Sequence, residues 1–204
     1  MKRVASSLKS HGYHKPVMLK ECIEALNIKS DGSYVDLTFG GGGHSREILK
    51  HLDDDGYLYA FDQDADARAN AEDIDKRSFT LIEANFRHLT RYLRLHRVTS
   101  VDGVLGDLGI SSHQIDEADR GFSTRFNAEL DMRMDRSSRL SAKEVLNSYS
   151  EKQLQDIFSR YGEVRNAKTL AQAIVAHRIN QPLDSVDDFK GVLTKYAMRG
   201  KENR

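Results

Sequence analysis

The sequence predicts an α/β protein built on a parallel, doubly wound sheet, and three observations carry that prediction. Four short apolar runs suited to buried strands occur at 34–37, 57–61, within 79–86 and at 101–107. The stretches between them have helical periodicity, and strands joined by helical crossovers return to the same end and pair in parallel. The first run also passes directly into four glycines, Gly40 to Gly43, and then a helical pattern. Strand, glycine turn and helix start is the architecture of a nucleotide-type cofactor site at the carboxyl end of a parallel strand.

Taken in order, residues 1–12 are polar and are expected to be flexible, and Tyr13 to Pro16 lead into a first helix whose apolar positions are Val17, Met18, Cys22, Ile23 and Leu26. His14, just ahead of it, reads as a surface or capping residue. Tyr34, Val35 and Leu37 form the first strand, with Asp36 near its carboxyl end. A helix over 44–52 follows the glycines, Gly56 resets the chain, and YLYAF at 57–61 is the second strand, ended by Asp62. The segment DQDADARANAEDI reads as helix, packed through Ala65, Ala69 and Ile74. After the third strand, Arg87, Arg91 and Arg94 share one helical face, and no acid occurs from 84 to 100. That stripe suits either phosphate contact or a solvated face. VDGVLGD is the fourth strand, and LGISSHQID reads as loop.

Beyond Asp116 the pattern changes. RGFSTRFNAELDMRMD has no clear period, and helices then start at visible signals: Ser141 with Glu144 and Ser150 with Gln153 are spaced as capping boxes. Leu154, Ile157, Phe158 and Tyr161 give one apolar stripe and Leu170, Ala173, Ile174 and Ile179 another, with a last helix near 186–196. The predicted organisation is therefore a flexible start at 1–12, a cofactor-binding core at 13–115 and a helical module at 116–204.

Composition narrows the function classes. Lys plus Arg and Asp plus Glu are 31 each in 204 residues, so net charge favours neither a nucleic-acid nor an acidic partner. One cysteine, Cys22, makes no internal disulfide, and no Cys/His cluster offers a metal site. With no apolar run of membrane-spanning length and no signal-peptide core at MKRVASSLKS, the reading is a cytoplasmic protein without membrane contact.

The cofactor follows from what the turn has and lacks. Asp62, at the tip of the second strand, stands where such sites place a carboxylate on ribose hydroxyls. The glycines do not spell GxGxxG, and no Walker lysine follows them. A cofactor with ribose and adenine but no pyrophosphate remains, which S-adenosyl-L-methionine satisfies.

TFGGGGHS, FDQD, ANF, VDGVLGDLGISSHQID, RGFSTRF, LDMRMD and YGE, in that order, resemble the RsmH (MraW) family of S-adenosylmethionine-dependent methyltransferases acting on cytosine N4 of 16S ribosomal RNA. RGFS with LDMRMD is the most specific part, since no generic requirement of the fold explains it. The resemblance implies a Rossmann-like class I methyltransferase core carrying an inserted helical module that helps hold RNA. It places the methionine part of the cofactor at Gly42, Gly43 and His44, the ribose on Asp62 and the adenine against Phe86. Asp107 becomes a cofactor contact beside the reacting centre and a candidate proton acceptor, and Gln114 a further contact. Each has a plainer reading: core for Phe86, a cap for Asp107, surface for Gln114. Arg87, Arg91, Arg94, Arg120 and Arg125 are the candidate RNA contacts, although six acids lie in 116–139. The expected partner is 16S RNA or the small ribosomal subunit. The competing readings are a non-catalytic RNA-binding or assembly protein, and a methyltransferase for another nucleic-acid amine.

Two departures from the family pattern are visible. Gly106 stands where the family more often has a larger apolar residue, and the further strands of the family core do not follow Lys195. The expectation is an open sheet edge at the fourth strand, self-association through it, and weak or absent catalysis by this chain.

Overall fold

The computed structural model describes residues 16–196. The flexible start at 1–12, His14 and the end GKENR lie outside the described residues. The chain divides into two compact units, Met1–Gly109 and Ile110–Arg204.

In the first unit, α1 (Leu19–Leu26), β1 (Ser33–Asp36), α2 (Gly43–Lys50), β2 (Tyr57–Asp62), β3 (Phe79–Glu83), α3 (Leu89–Leu95) and β4 (Gly103–Leu105) follow one another. The strands form one sheet in the order β3-β2-β1-β4, every pair parallel. Tyr34 pairs with Leu58 and with Gly103, which fixes the register on both sides of β1. Because successive side chains of a strand face opposite ways, β1 and β2 feed two cores. Tyr34, Leu58 and Ala60 pack with Ile48, Ala67 and Ala71 on one face, whereas Val35, Tyr59 and Phe61 pack with Ile82 and Leu93 on the other. A strand covered on both faces reads as a continuous apolar run, as YLYAF does. The sheet is the α/β, Rossmann-like arrangement expected.

Three local expectations change. Val17 and Met18 are exposed and precede α1 rather than packing within it. The segment after β2 winds as a 3-10 helix, Ala65–Ala71, that buries Ala67 and Ala71 and leaves the expected packing positions Ala65 and Ala69 exposed. Asp64 caps it by accepting from the Asp66 amide at 3.2 Å, and short polar side chains bonding the local backbone in this way compete with the α-helical ladder. β3 stops at Glu83, where the chain turns and the Asn85 side chain accepts from the Arg87 amide.

The second unit contains α4 (Ser112–Asp116), α5 (Ala142–Ser148), α6 (Glu151–Arg160), α7 (Ala167–Arg178) and α8 (Val186–Tyr196). The stretch expected to be a loop after β4 therefore holds a short helix, started by a full capping box of Ser111 and Gln114. The same device starts α6 with Ser150 and Gln153. At α5 only half of the expected box is made, Ser141 accepting from the Glu144 amide. Leu146, Leu154, Leu170, Ile174, Leu183 and Val192 form the core of this unit. Asn147 fixes the approach to α8 by donating to the Leu183 carbonyl and accepting from the Leu183 amide. Tyr161 and Ile179, expected in apolar stripes, are exposed because both stand where their helix has ended.

The aperiodic stretch of the second unit is organised by Arg120. Its side chain is 1% exposed, donates to the carbonyls of Arg133 and Met134 and lies over the Phe122 ring. That corrects its assignment as an RNA contact: a buried guanidinium bonded to carbonyls knits the two halves of the motif together. Arg125 is exposed but ion-paired to Asp116 at 2.6 Å.

Candidate cofactor site

Parallel pairing puts the carboxyl ends of all four strands along one edge, and the first four residues of interest stand there for that reason. The turn after β1, Asp62 at the end of β2, Phe86 after β3 and Asp107 after β4 all stand at that edge. β1 has β2 on one side and β4 on the other, so the order in which strands are added reverses at β1, the position where sheets of this kind place a ligand crevice.

The glycine turn is held by side chains from its neighbours. Asp62 Oδ2 accepts from the Gly40 amide at 2.8 Å, while Asn70 Nδ2 donates to the Gly40 carbonyl at 3.0 Å. Arg46 in turn holds the Asn70 carbonyl and makes a two-pronged contact with Asp73. Gly42 has φ of 75°, in the left-handed region, and a Cβ there would lie 2.9 Å from the Phe39 ring. As the N-cap of α2 it offers no side-chain hydrogen bond, so among the described residues the first-turn amides of that helix have no side-chain cap. Bare amides and the positive end of the helix dipole favour an anionic group.

Beneath the turn lies Asp36, fully buried, with Oδ2 accepting from Ser45 Oγ at 2.7 Å and Oδ1 from the Thr38 amide at 3.0 Å. Burial pushes its pKa up, and the Ser45 and Thr38 bonds offset part of that rise. Thr38 then accepts, through Oγ1, from the Asp107 amide at 2.8 Å. One carboxylate thus fixes the start of α2, the turn and, through Thr38, the loop after β4. Burial also raises the pKa of Asp62, against the bonds from Asp64 and Gly40. Oδ2 accepts from the Gly40 amide and Oδ1 from the Asp64 amide, and a carboxylate oxygen takes up to two donors.

Phe86 is 38% exposed at the start of a 3-10 turn, an aromatic face open to a planar ligand. Asp107 is exposed. His44 departs from expectation, because its ring is buried and its Nε2 lies 3.0 Å from the Val17 carbonyl, so only its backbone amide stays with the turn. Gln114 belongs to the second unit, where its carboxamide accepts from the Ser111 amide and donates to Met134 Sδ. It builds α4 rather than offering a free carboxamide. Arg87, Arg91 and Arg94 are exposed, and Arg87 Nε donates to His88 Nε2 at 3.1 Å. Asp36, Thr38 and Asn70 were not among the expected site residues. The signal for Asp36 was its strand-end position; for Thr38 and Asn70 the sequence carries none.

The chain is 62% identical over 192 residues to ribosomal RNA small subunit methyltransferase H of Cytophaga hutchinsonii, covering 94% of this chain and 64% of that protein. It is 54% identical over 192 residues to the protein of that name from Christiangramia forsetii, with 94% and 63% covered. The Bacteroides fragilis protein of the same name is 47% identical over 192 residues, with 94% and 62% covered. The chain thus spans a little under two thirds of the length of these curated relatives. The MraW methylase family matches residues 11–204, so the chain belongs to that family.

Proposed function

We propose that the chain binds S-adenosyl-L-methionine and serves methylation of N4 of a cytosine in 16S ribosomal RNA of the small subunit. The observation that carries this reading is the convergence of an uncapped α2, Asp62 and Phe86 at one sheet edge, in a chain related at 47% to 62% identity to proteins named as small-subunit rRNA methyltransferases. The residues present fit the cofactor. The α2 amides suit its carboxylate, the carboxylate oxygens of Asp62 suit the two ribose hydroxyls, and the Phe86 ring suits the adenine.

The cofactor, when bound, supplies a methyl group already activated on sulfonium sulfur. The chain has to hold the acceptor amine in line with the carbon–sulfur bond and receive a proton from it. Cytosine N4 is a poor nucleophile because its lone pair is delocalised into the ring, so an acceptor at the amino group favours the tetrahedral nitrogen of the transition state. Asp107 is our candidate for that acceptor, held by Thr38 through its backbone amide. Gln114 supports the loop by capping α4. The target base has to be unstacked to reach the site, which suits single-stranded or distorted RNA. Phosphate contacts come in this reading from Arg87, Arg91 and Arg94, with Arg125 secondary because Asp116 already neutralises it. The domain division, the cytoplasmic setting and self-association belong to the same proposal; no helix among the described residues is long and apolar enough to cross a membrane.

The test is incubation of the purified chain with methyl-labelled cofactor and either small-subunit particles or naked 16S RNA, followed by nucleoside analysis. Label in N4-methylcytidine is the expected result. Binding of cofactor and RNA without transfer would favour the non-catalytic reading for this chain.

A further inference from the structure

Gly43 and His44, which the resemblance assigns to the methionine part of the cofactor, also touch a neighbouring segment of the chain. Gly43 lies outside the left-handed region, so its conformation is open to any residue. What excludes a side chain is Pro16, whose ring occupies the place a Cβ at 43 would take. The next residue, His44, is 6% exposed and bonds the Val17 carbonyl. A carbonyl only accepts, so Nε2 carries the proton and donates.

Among the described residues, the segment is otherwise tied through the Met18 carbonyl, which accepts from the Cys22 amide at 2.9 Å in the first turn of α1. Val17 and Met18 are 58% and 61% exposed, and Met18, at φ of 49°, sits in a left-handed conformation that disfavours a residue with a side chain. Met18 is also the N-cap of α1 and makes no side-chain cap. Burial is therefore not what holds Val17 and Met18, and the ring-to-glycine contact and the His44 bond are what tie the segment to α2.

We infer that Gly43 and His44 form a clasp that holds residues 16–18 against the amino end of α2, making this segment a wall of the cofactor site and His44 a positioning residue. The inference rests on the cofactor reading given above. With the clasp closed, the Pro16 ring lies against the first residue of the helix whose bare amides face the ligand, and shields them from water. With it open, those amides are solvated and the wall is lost. A ligand that needs the closed form binds with an apparent affinity reduced by the fraction of chains that are open.

The experiment is calorimetric titration of the 204-residue chain with S-adenosylhomocysteine, alongside hydrogen exchange of the peptide spanning residues 16–22. Wild type should bind, and the ligand should slow exchange in that peptide. Gly43→Ala, which displaces Pro16, and His44→Ala, which removes the bond, should each raise Kd by about fivefold or more, the scale expected from losing one hydrogen bond that holds the competent state. Both should speed exchange of the peptide even without ligand, and leave β1 and β2 protected. His44→Gln, which carries an N–H donor at similar reach, should recover most of the affinity. Unchanged Kd in both alanine variants, or a fall in thermal midpoint alone, overturns the clasp as a wall of the site. Wild type that fails to bind overturns the cofactor reading and the wall with it, and the ligand-free exchange then still reports whether Gly43 and His44 hold the segment.

Discussion

Asp62 and Asp36 are carboxylates at the ends of neighbouring strands that do different work, and substitution separates them. Asp62 accepts from Gly40 and Asp64 through oxygens that each take up to two donors, so Asp62→Ala should weaken binding of S-adenosylhomocysteine by roughly 1–3 kcal/mol, the range for lost hydrogen bonds to a charged acceptor. Calorimetry reads it directly, and an unchanged affinity removes Asp62 from the site. Asp36 has no surface open to a ligand, and its effect lies in stability. Its pKa is raised, chiefly by burial, so the fold favours the protonated form. The stability this adds is fully present below the ordinary carboxylate pKa and is lost as pH rises through the folded value. Asp131 runs the other way: the Arg133 guanidinium lowers its pKa, so its contribution is present above the ordinary value and is lost as pH falls through the folded one. The useful measurement is therefore a difference. Thermal midpoints of wild type and Asp36→Asn, taken from acid to neutral pH, should diverge in favour of the variant as pH rises through the folded pKa of Asp36, and parallel curves would show that Asp36 is not titrating. Asp62 was legible in the sequence because position alone, at the tip of a strand, gives its role. Arg120 was misread as an RNA contact, and the bonds that Gln114 makes within its own unit were not foreseen, for the opposite reason. Both look like surface residues until their partners, the carbonyls of Arg133 and Met134 and the Ser111 amide, are brought to them by a stretch with no period.

At the scale of elements, the signals with a local mechanism were read well and those needing a partner were not. Parallel strands flanked by helices, and the start of α6 at Ser150, followed from spacing, yet the same S-x-x-Q spacing at Ser111 and Gln114 was passed over because the helix it starts is short. Ser150→Ala removes the acceptor for the Gln153 amide and should destabilise the second unit by about 1 kcal/mol, as N-cap losses do. Urea unfolding followed by circular dichroism measures it, and Ser150→Asp should restore the loss. The helix α3 carries the other test. Arg91 and Arg94 stand on it, with Arg87 in the turn before it. If the three contact single-stranded RNA phosphates, replacing all of them by alanine should lower the slope of log K against log salt by about 2, at roughly 0.7 per contact. Equal slopes for wild type and the triple variant would leave the stripe as a solvated face.

At the scale of the whole molecule, the sheet decides the behaviour in solution. β4 pairs with β1 along one side, and no further strand lies beyond it among the described residues. Val104 on that strand is 46% exposed, and Leu108 just after it is 70% exposed. A short apolar strand with an open side is a template for pairing with another chain, and proteins that keep such an edge blunt it with charge, proline or a bulge. None of these stands in Gly103–Leu105. The three residues are few, which limits the gain from a second copy to weak, reversible association. Sedimentation velocity over a range of concentration should therefore show a weight-average coefficient that rises with loading. Val104→Lys places a charge on the exposed face of that edge and should return the chain to a monomer without lowering its affinity for S-adenosylhomocysteine, since the cofactor contacts proposed above lie on the turn, Asp62 and Phe86. A coefficient that does not change with concentration in wild type would mean that the β4 edge is already satisfied, and that Val104 is exposed without being adhesive.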